Sequence, residues 1–186
     1  MAYAVRKGRD RAKRSPKGDQ AGWTVQQAKD WLRGRLSKGD QCPVCARFAK
    51  SYRRGLTAGM AVVLIQLHRS CSTRTARAQG GFVEVAVDVM PQARKLAGGR
   101  DPGGDWAKLR WWGLIEPQEG NAGWWRITPE GRGFVSAGSR VKRFALVYDD
   151  RRLGLEGEPW TIHDALGKRF SYEDLLRESG RPEGAI

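Results

Sequence analysis

The chain has 186 residues, 40% of them hydrophobic and eight of them Trp, with 34 Lys and Arg against 20 Asp and Glu and a net charge of +14. That apolar content supports a packed core and excludes a wholly disordered chain, while the basic excess points to polyanionic partners. The longest apolar run, residues 60–65, is far short of the roughly 18 residues of a membrane helix, and the basic N-terminus has no secretion-type apolar block. The expectation is therefore a cytoplasmic protein with no membrane partner, its three cysteines held in no disulfide framework.

The charge is localised. Residues 1–80 hold 18 Lys and Arg and 4 Asp and Glu, whereas residues 81–186 hold 16 of each. The length suits one domain with an extension or two small modules.

Residues 1–22 are basic, small and polar without periodicity, and read as a flexible arm whose Arg6, Arg9, Arg11 and Arg14 are candidate phosphate contacts. Residues 23–56 are expected to form a helical segment. Thr24 with Gln27 makes a capping box, Val25, Ala28, Trp31, Leu32 and Leu36 recur at helical spacing, and Lys38-Gly39-Asp40 is a stop. After Cys42-Pro43-Val44-Cys45, Phe48 and Tyr52 lie four apart, with Lys50, Arg53 and Arg54 free to face outward on an amphipathic stretch.

Residues 57–138 read as the main domain. A helix over residues 57–69 is apolar on most sides and so belongs in the interior. Residues 74–81 read as a polar loop, the β-branched run 82–88 as a strand, and residues 90–96 as a short helix stopped by Gly98-Gly99. Asp105 is placed to cap a helix carrying Trp106, Leu109 and Trp112 on one face and ending at Gly113. Strands at 114–117 and 124–128 enclose a polar turn, and Pro129-Glu130-Gly131 opens another helix through Phe134 and Val135. Residues 139–186 are expected to hold a hairpin, with strands at 141–148 and 159–162, and a helix at 172–178 that uses Leu175 and Leu176. The tail should fray after Ser179.

The segments Lys108-Leu109, Trp112-Gly113-Leu114-Ile115 and Trp125-Arg126-Ile127-Thr128-Pro129-Glu130-Gly131-Arg132 resemble the helix–wing–helix passage of winged-helix regulators of the MarR-like and PadR-like type. The resemblance implies an α+β fold with a winged-helix core, an N-terminal helical segment and a C-terminal hairpin plus short helix. It also implies a recognition helix presenting Lys108 and Arg110 to nucleic acid, DNA in preference to RNA, with Arg126 on the wing. Glu116 and Glu119 on that wing oppose phosphate. An alternative use of the domain is docking to a protein partner of host or phage origin through Trp124 or Trp125, whichever is exposed. The Cys-Pro-x-Cys segment together with the Trp-rich passage is similar to small phage-encoded accessory proteins.

Cys42 and Cys45 with His68 and Cys71 have a spacing that suits a structural zinc site, for a tight turn supplies two sulfurs and residues three apart on a helix supply two more. Pro43 resembles the second position of zinc knuckles, although Ala46 stands where those have glycine. The competing reading places His68 and Cys71 in the core and leaves Cys42 and Cys45 reduced. A thioredoxin-like redox role lacks its strand–helix context. His163 reads as a helix-start or hairpin-end residue, and with no nucleophile constellation or phosphate loop the chain is not expected to be an enzyme.

Overall fold

Thr24 caps the first helix as its sequence demands. Its hydroxyl accepts from the Gln27 amide and the Gln27 side chain accepts from the Thr24 amide, opening α1 (Val25–Arg33). The computed structural model describes residues 22–136 and 138–178, and the chain divides into two units, residues 1–52 and 53–186. The expected arm therefore lies, but for Gly22, outside the described residues, as does the tail from Ser179.

In the first unit Ala28, Leu32, Leu36 and Ala49 are buried. Trp31 takes the edge of Trp23 and carries the Arg35 guanidinium over its ring at 4.1 Å. The stretch after the cysteines is extended rather than the expected helix. Strands β1 (Asp40–Gln41) and β2 (Phe48–Ala49) form an antiparallel pair. The reason is the tight cysteine turn, which reverses the chain and offers β2 a partner. Gly39, at φ +82°, lets the Phe48 ring lie where a Cβ would otherwise stand. The Ser51 amide then donates to the Leu36 carbonyl.

The second unit is built on α2 (Ala58–Ser70), capped by the Thr57 hydroxyl on the Met60 amide. Every side chain from Met60 to Leu67 is buried. Instead of the expected polar loop there is α3 (Arg74–Ala78), because the Thr73 hydroxyl caps the Ala76 amide and Ala76 is buried. The expected strand at 82–88 shrinks to β4 (Val83–Glu84), followed by α4 (Val85–Asp88). Helical periodicity wins here: Val85, Val89 and Ala93 are buried at four-residue intervals, Val87 is exposed, and the Asp88 carboxylate accepts from the Glu84 amide. Helix α5 (Met90–Leu96) follows as expected.

Residues Gly104–Trp112 form a 3₁₀ helix rather than an α-helix. Asp105 does not cap it and pairs instead with Lys108. Gly113, at φ +75°, ends it in the left-handed conformation. Strands β5 (Ile115–Pro117) and β6 (Trp124–Ile127) make the expected hairpin, and β4 joins the other edge of β6, giving the antiparallel order β4-β6-β5. Thr128 caps α6 (Pro129–Val135) and its hydroxyl donates to the Gly113 carbonyl at 2.6 Å.

Strands β7 (Val141–Tyr148) and β8 (Arg151–Trp160) form a longer hairpin than expected, and β3 (Tyr52–Gly55) flanks β7. Asp149 and Asp150 are both left-handed, which allows a two-residue turn and starts β8 far earlier than residue 159. Thr161 and Asp164 form a capping box on α7 (Ile162–Leu166), so His163 does sit in the first turn of a helix. Helix α8 (Tyr172–Glu178) ends the described chain, with Leu175 buried. The described residues are thus a mixed α+β assembly with small sheets, and none of their helices is long and apolar enough to cross a membrane.

Gly131 is a tight joint of this unit, since a Cβ there would fall on the Leu114 carbonyl and press the Ile127 side chain. We expect Gly131→Ala to destabilise the protein by about 1–3 kcal/mol through overpacking. A lowered urea midpoint with unchanged denaturant dependence would register it.

Candidate nucleic-acid interface and cysteine knuckle

The three cations assigned to the recognition helix and wing are each matched by a carboxylate of the same unit. Lys108 pairs with Asp105, Arg110 with Asp150, and Arg126 Nε meets Glu116 Oε1 at 2.5 Å. Arg126 also donates to the Gly80 carbonyl at 3.2 Å and lies over the Phe82 ring at 4.6 Å. Pairs this exposed contribute only about 0–1 kcal/mol each to stability. Their effect on recognition is larger, because each guanidinium or ammonium has an anion beside it that repels phosphate.

Trp111 and Trp112 are core residues whose indole N–H groups donate to the Asp150 and Lys142 carbonyls. Trp125 is also buried, packed edge-on to Trp106 at 5.3 Å, so it offers no docking surface. Trp124 is half-buried and is the aromatic of the pair with accessible surface. On the Trp124 side the wing is a short polar turn, closed by the Gln118 amide on the Trp124 carbonyl at 2.8 Å, with Glu119 exposed.

A cationic feature that joins Arg126 to two arginines not assigned from the sequence lies beside the β5–β6 hairpin. Arg77, Arg126 and Arg132 line an open cavity of about 520 Å³ with Glu116, Gly80 and Pro129. Arg77 belongs to a segment that reads as loop, and Arg132 carries no assigned role in the Thr-Pro-Glu-Gly-Arg run. The helical phase of α3 and α6 is the signal that could have found them. Of the other candidates, Arg53 pairs with Glu156 at 2.7 Å and lies over Phe144, and Arg54 is exposed on β3. Arg6, Arg9, Arg11 and Arg14 lie outside the described residues.

The four candidate zinc ligands fall in different surroundings. Cys42 and Cys45 occupy the turn between β1 and β2, which is closed by the Cys42 amide on the Arg47 carbonyl and the Ala46 amide on the Cys42 carbonyl, both at 2.8 Å. Ala46 takes φ +54°, the conformation that glycine would adopt more cheaply. Partial burial raises the Cys42 thiol, but hydrogen bonds from the Cys45 and Val44 amides and from the Cys45 side chain outweigh it, leaving the thiol below its ordinary range. Cys71 is 4% exposed at the end of α2, in the core cluster, and burial pushes its thiol up. His68 is half-buried, and burial, then the Arg132 and Arg69 charges, push its imidazole down. Among the described residues no three His, Cys, Asp or Glu side chains converge as a metal-binding group.

No protein-family model, curated protein or solved structure matches the chain.

His68 makes stability pH-dependent. An unfolded imidazole takes up a proton as the pH falls through about 6.5, whereas the folded one resists it. The unfolded state therefore binds more protons in that window, and stability falls as the solution is acidified below it. Urea midpoints measured from pH 7.5 to pH 5 should show a shallower decline in His68→Gln than in the wild type.

Proposed function

We propose that this protein is a nucleic-acid-binding accessory or regulatory protein, directed to DNA more than to RNA. The observation that carries the reading is the distribution of charge: residues 1–80 hold the whole net excess, while residues 81–186 are balanced. Phosphate neutralisation scales with the number of available cations, so the first part of the chain supplies the affinity. Residues 57–138 act as a winged helix in this reading. The order α2, α3, β4, α4, α5, 3₁₀ helix and β5–β6 hairpin and the sheet β4-β6-β5 support it, with β4 in the place of the first strand, although α3 and α4 are additional to the expected pattern. The groove of Arg77, Arg126 and Arg132 brings three cations together, with Glu116 on Arg126 opposing phosphate at that corner, so Arg77 and Arg132 are its phosphate contacts in this reading.

A second reading is favoured by the paired cations of the winged-helix face. Lys108, Arg110 and Arg126 are each held by a carboxylate, which suits a surface turned toward a protein, such as a host or phage nucleic-acid-processing complex, better than one turned toward DNA. Trp124 is then the docking residue.

Binding to a short DNA duplex should weaken steeply with salt. Replacing Arg6, Arg9, Arg11 and Arg14 together by Gln should flatten the slope of log affinity against log salt by up to about 3.6, at roughly 0.9 for each phosphate no longer neutralised. Lys108→Gln with Arg110→Gln should leave the slope nearly unchanged. Absence of binding to duplex DNA, single-stranded DNA and RNA at low salt would remove the first reading. Loss of a captured partner in Trp124→Ala, with DNA affinity intact, would establish the second.

A further inference from the structure

The whole chain contains five thiol or imidazole side chains, Cys42, Cys45, Cys71, His68 and His163. Three of them are engaged within the second unit. Cys71 is buried among the core side chains, and His163 sets its ring edge-on to Tyr172 at 4.7 Å. His68 is half-buried, with Arg132 and Arg69 acting on it as positive charges, and the same field would repel a divalent cation. Cys71 also borders the cavity of Arg77, Arg126 and Arg132, where the same positive charges oppose a divalent cation, and recruiting it would draw a packed side chain out of the core.

The knuckle is in the opposite situation. Its two sulfurs share one turn at the end of the β1–β2 hairpin, and its geometry is closed by backbone hydrogen bonds that need no metal. Cys45 is exposed and Cys42 partly so. Two apolar side chains beside them are uncovered among the exposed Gln41, Arg47 and Lys50: Val44, between the two cysteines, is 40% exposed, and Phe48, on β2, is 54% exposed. A tetrahedral zinc ion needs four ligands, and this turn offers two.

We propose that two copies of this chain close one zinc site between them, each knuckle contributing Cys42 and Cys45. The ion then lies on a two-fold axis in a shell of four sulfurs. Four S–H bonds break, their protons pass to solvent, and four Zn–S bonds form with no change of oxidation state. A divalent ion with four thiolates carries two negative charges, and Arg47 and Lys50 of each copy stand close in sequence to offset them. The two-fold arrangement is self-complementary, so each exposed Val44 and Phe48 is brought to its own counterpart, which removes apolar surface from water on both sides. The pairing does not rest on the nucleic-acid reading, although it would bring two cationic segments onto one polyanion and add the gain of bivalent attachment.

The test uses the full-length protein, loaded with zinc in the presence of a phosphine reductant, with metal analysis and native mass measured on the same sample. The expected result is one zinc per two chains in a dimer, conversion to monomer by a chelator, and loss of both metal and dimer in Cys42→Ser and in Cys45→Ser. His68→Ala should keep both. Cobalt(II) substituted in the wild-type protein should give the absorption of a tetrahedral four-thiolate site, a readout that does not depend on any variant folding. One zinc per single chain, a monomer that retains no zinc, or a dimer that survives the chelator would each overturn the proposal.

Discussion

Helix α2 buries every side chain from Met60 to Leu67, and a helix without a polar face can exist only if it is enclosed. That requirement organises the second unit. Helices α5, α6 and α7, the 3₁₀ helix and strand β6 all pack on it. The core cluster then extends through Leu109, Leu114, Ile127 and Phe134 to Ile162, Leu166 and Leu175. The consequence for function is that the stretch of α2 at residues 60–67 offers a partner no surface. Recognition has to come from the elements arranged around it or from the first unit.

The elements that the sequence announces most clearly are those with a chemical start or stop. Thr24, Thr57 and Thr128 each place a hydroxyl on an amide three residues on, and Gly113 ends the 3₁₀ helix by adopting a conformation that other residues resist. Where propensity is the only signal, packing overrules it. Val83, Val85, Val87 and Val89 alternate like a strand, yet only Val83 lies in one, because Val85, Val89 and Ala93 reach the interior at a helical interval. Arg74–Ala78 reads as loop because its single buried residue, Ala76, is too small to leave a hydrophobic pattern. The Phe48 and Tyr52 spacing suggests a helix, but both rings are exposed on strands, so there is no apolar face for the spacing to report.

The candidate site is legible in kind and less so in state. Spacing locates Lys108 and Arg110 on the 3₁₀ helix and Arg126 on β6, but Arg110 and Arg126 are neutralised by Asp150 and Glu116, at separations of 40 and 10 residues. Such pairings depend on where the hairpins bring the chain back, which local pattern does not encode. The cysteine turn is the reverse case. Its chemistry is written in four consecutive residues, and the left-handed Ala46 meets the conformation that a glycine would have supplied.

The 3₁₀ helix has a geometric corollary. At a rise of about 2 Å per residue its nine residues extend about 18 Å, against roughly 13.5 Å for an α-helix of equal length. With three residues per turn, side chains stack in straight files instead of winding round the axis. One file, Trp106, Leu109 and Trp112, turns toward the core, and Trp111 of the next file is buried in it as well. In the two others, Arg110 and Trp111 are bound to Asp150 at the tip of the β7–β8 hairpin. The rod is therefore braced along its side by a β-turn, and its exposed residues are confined to Gly104 and Asp105 at its start.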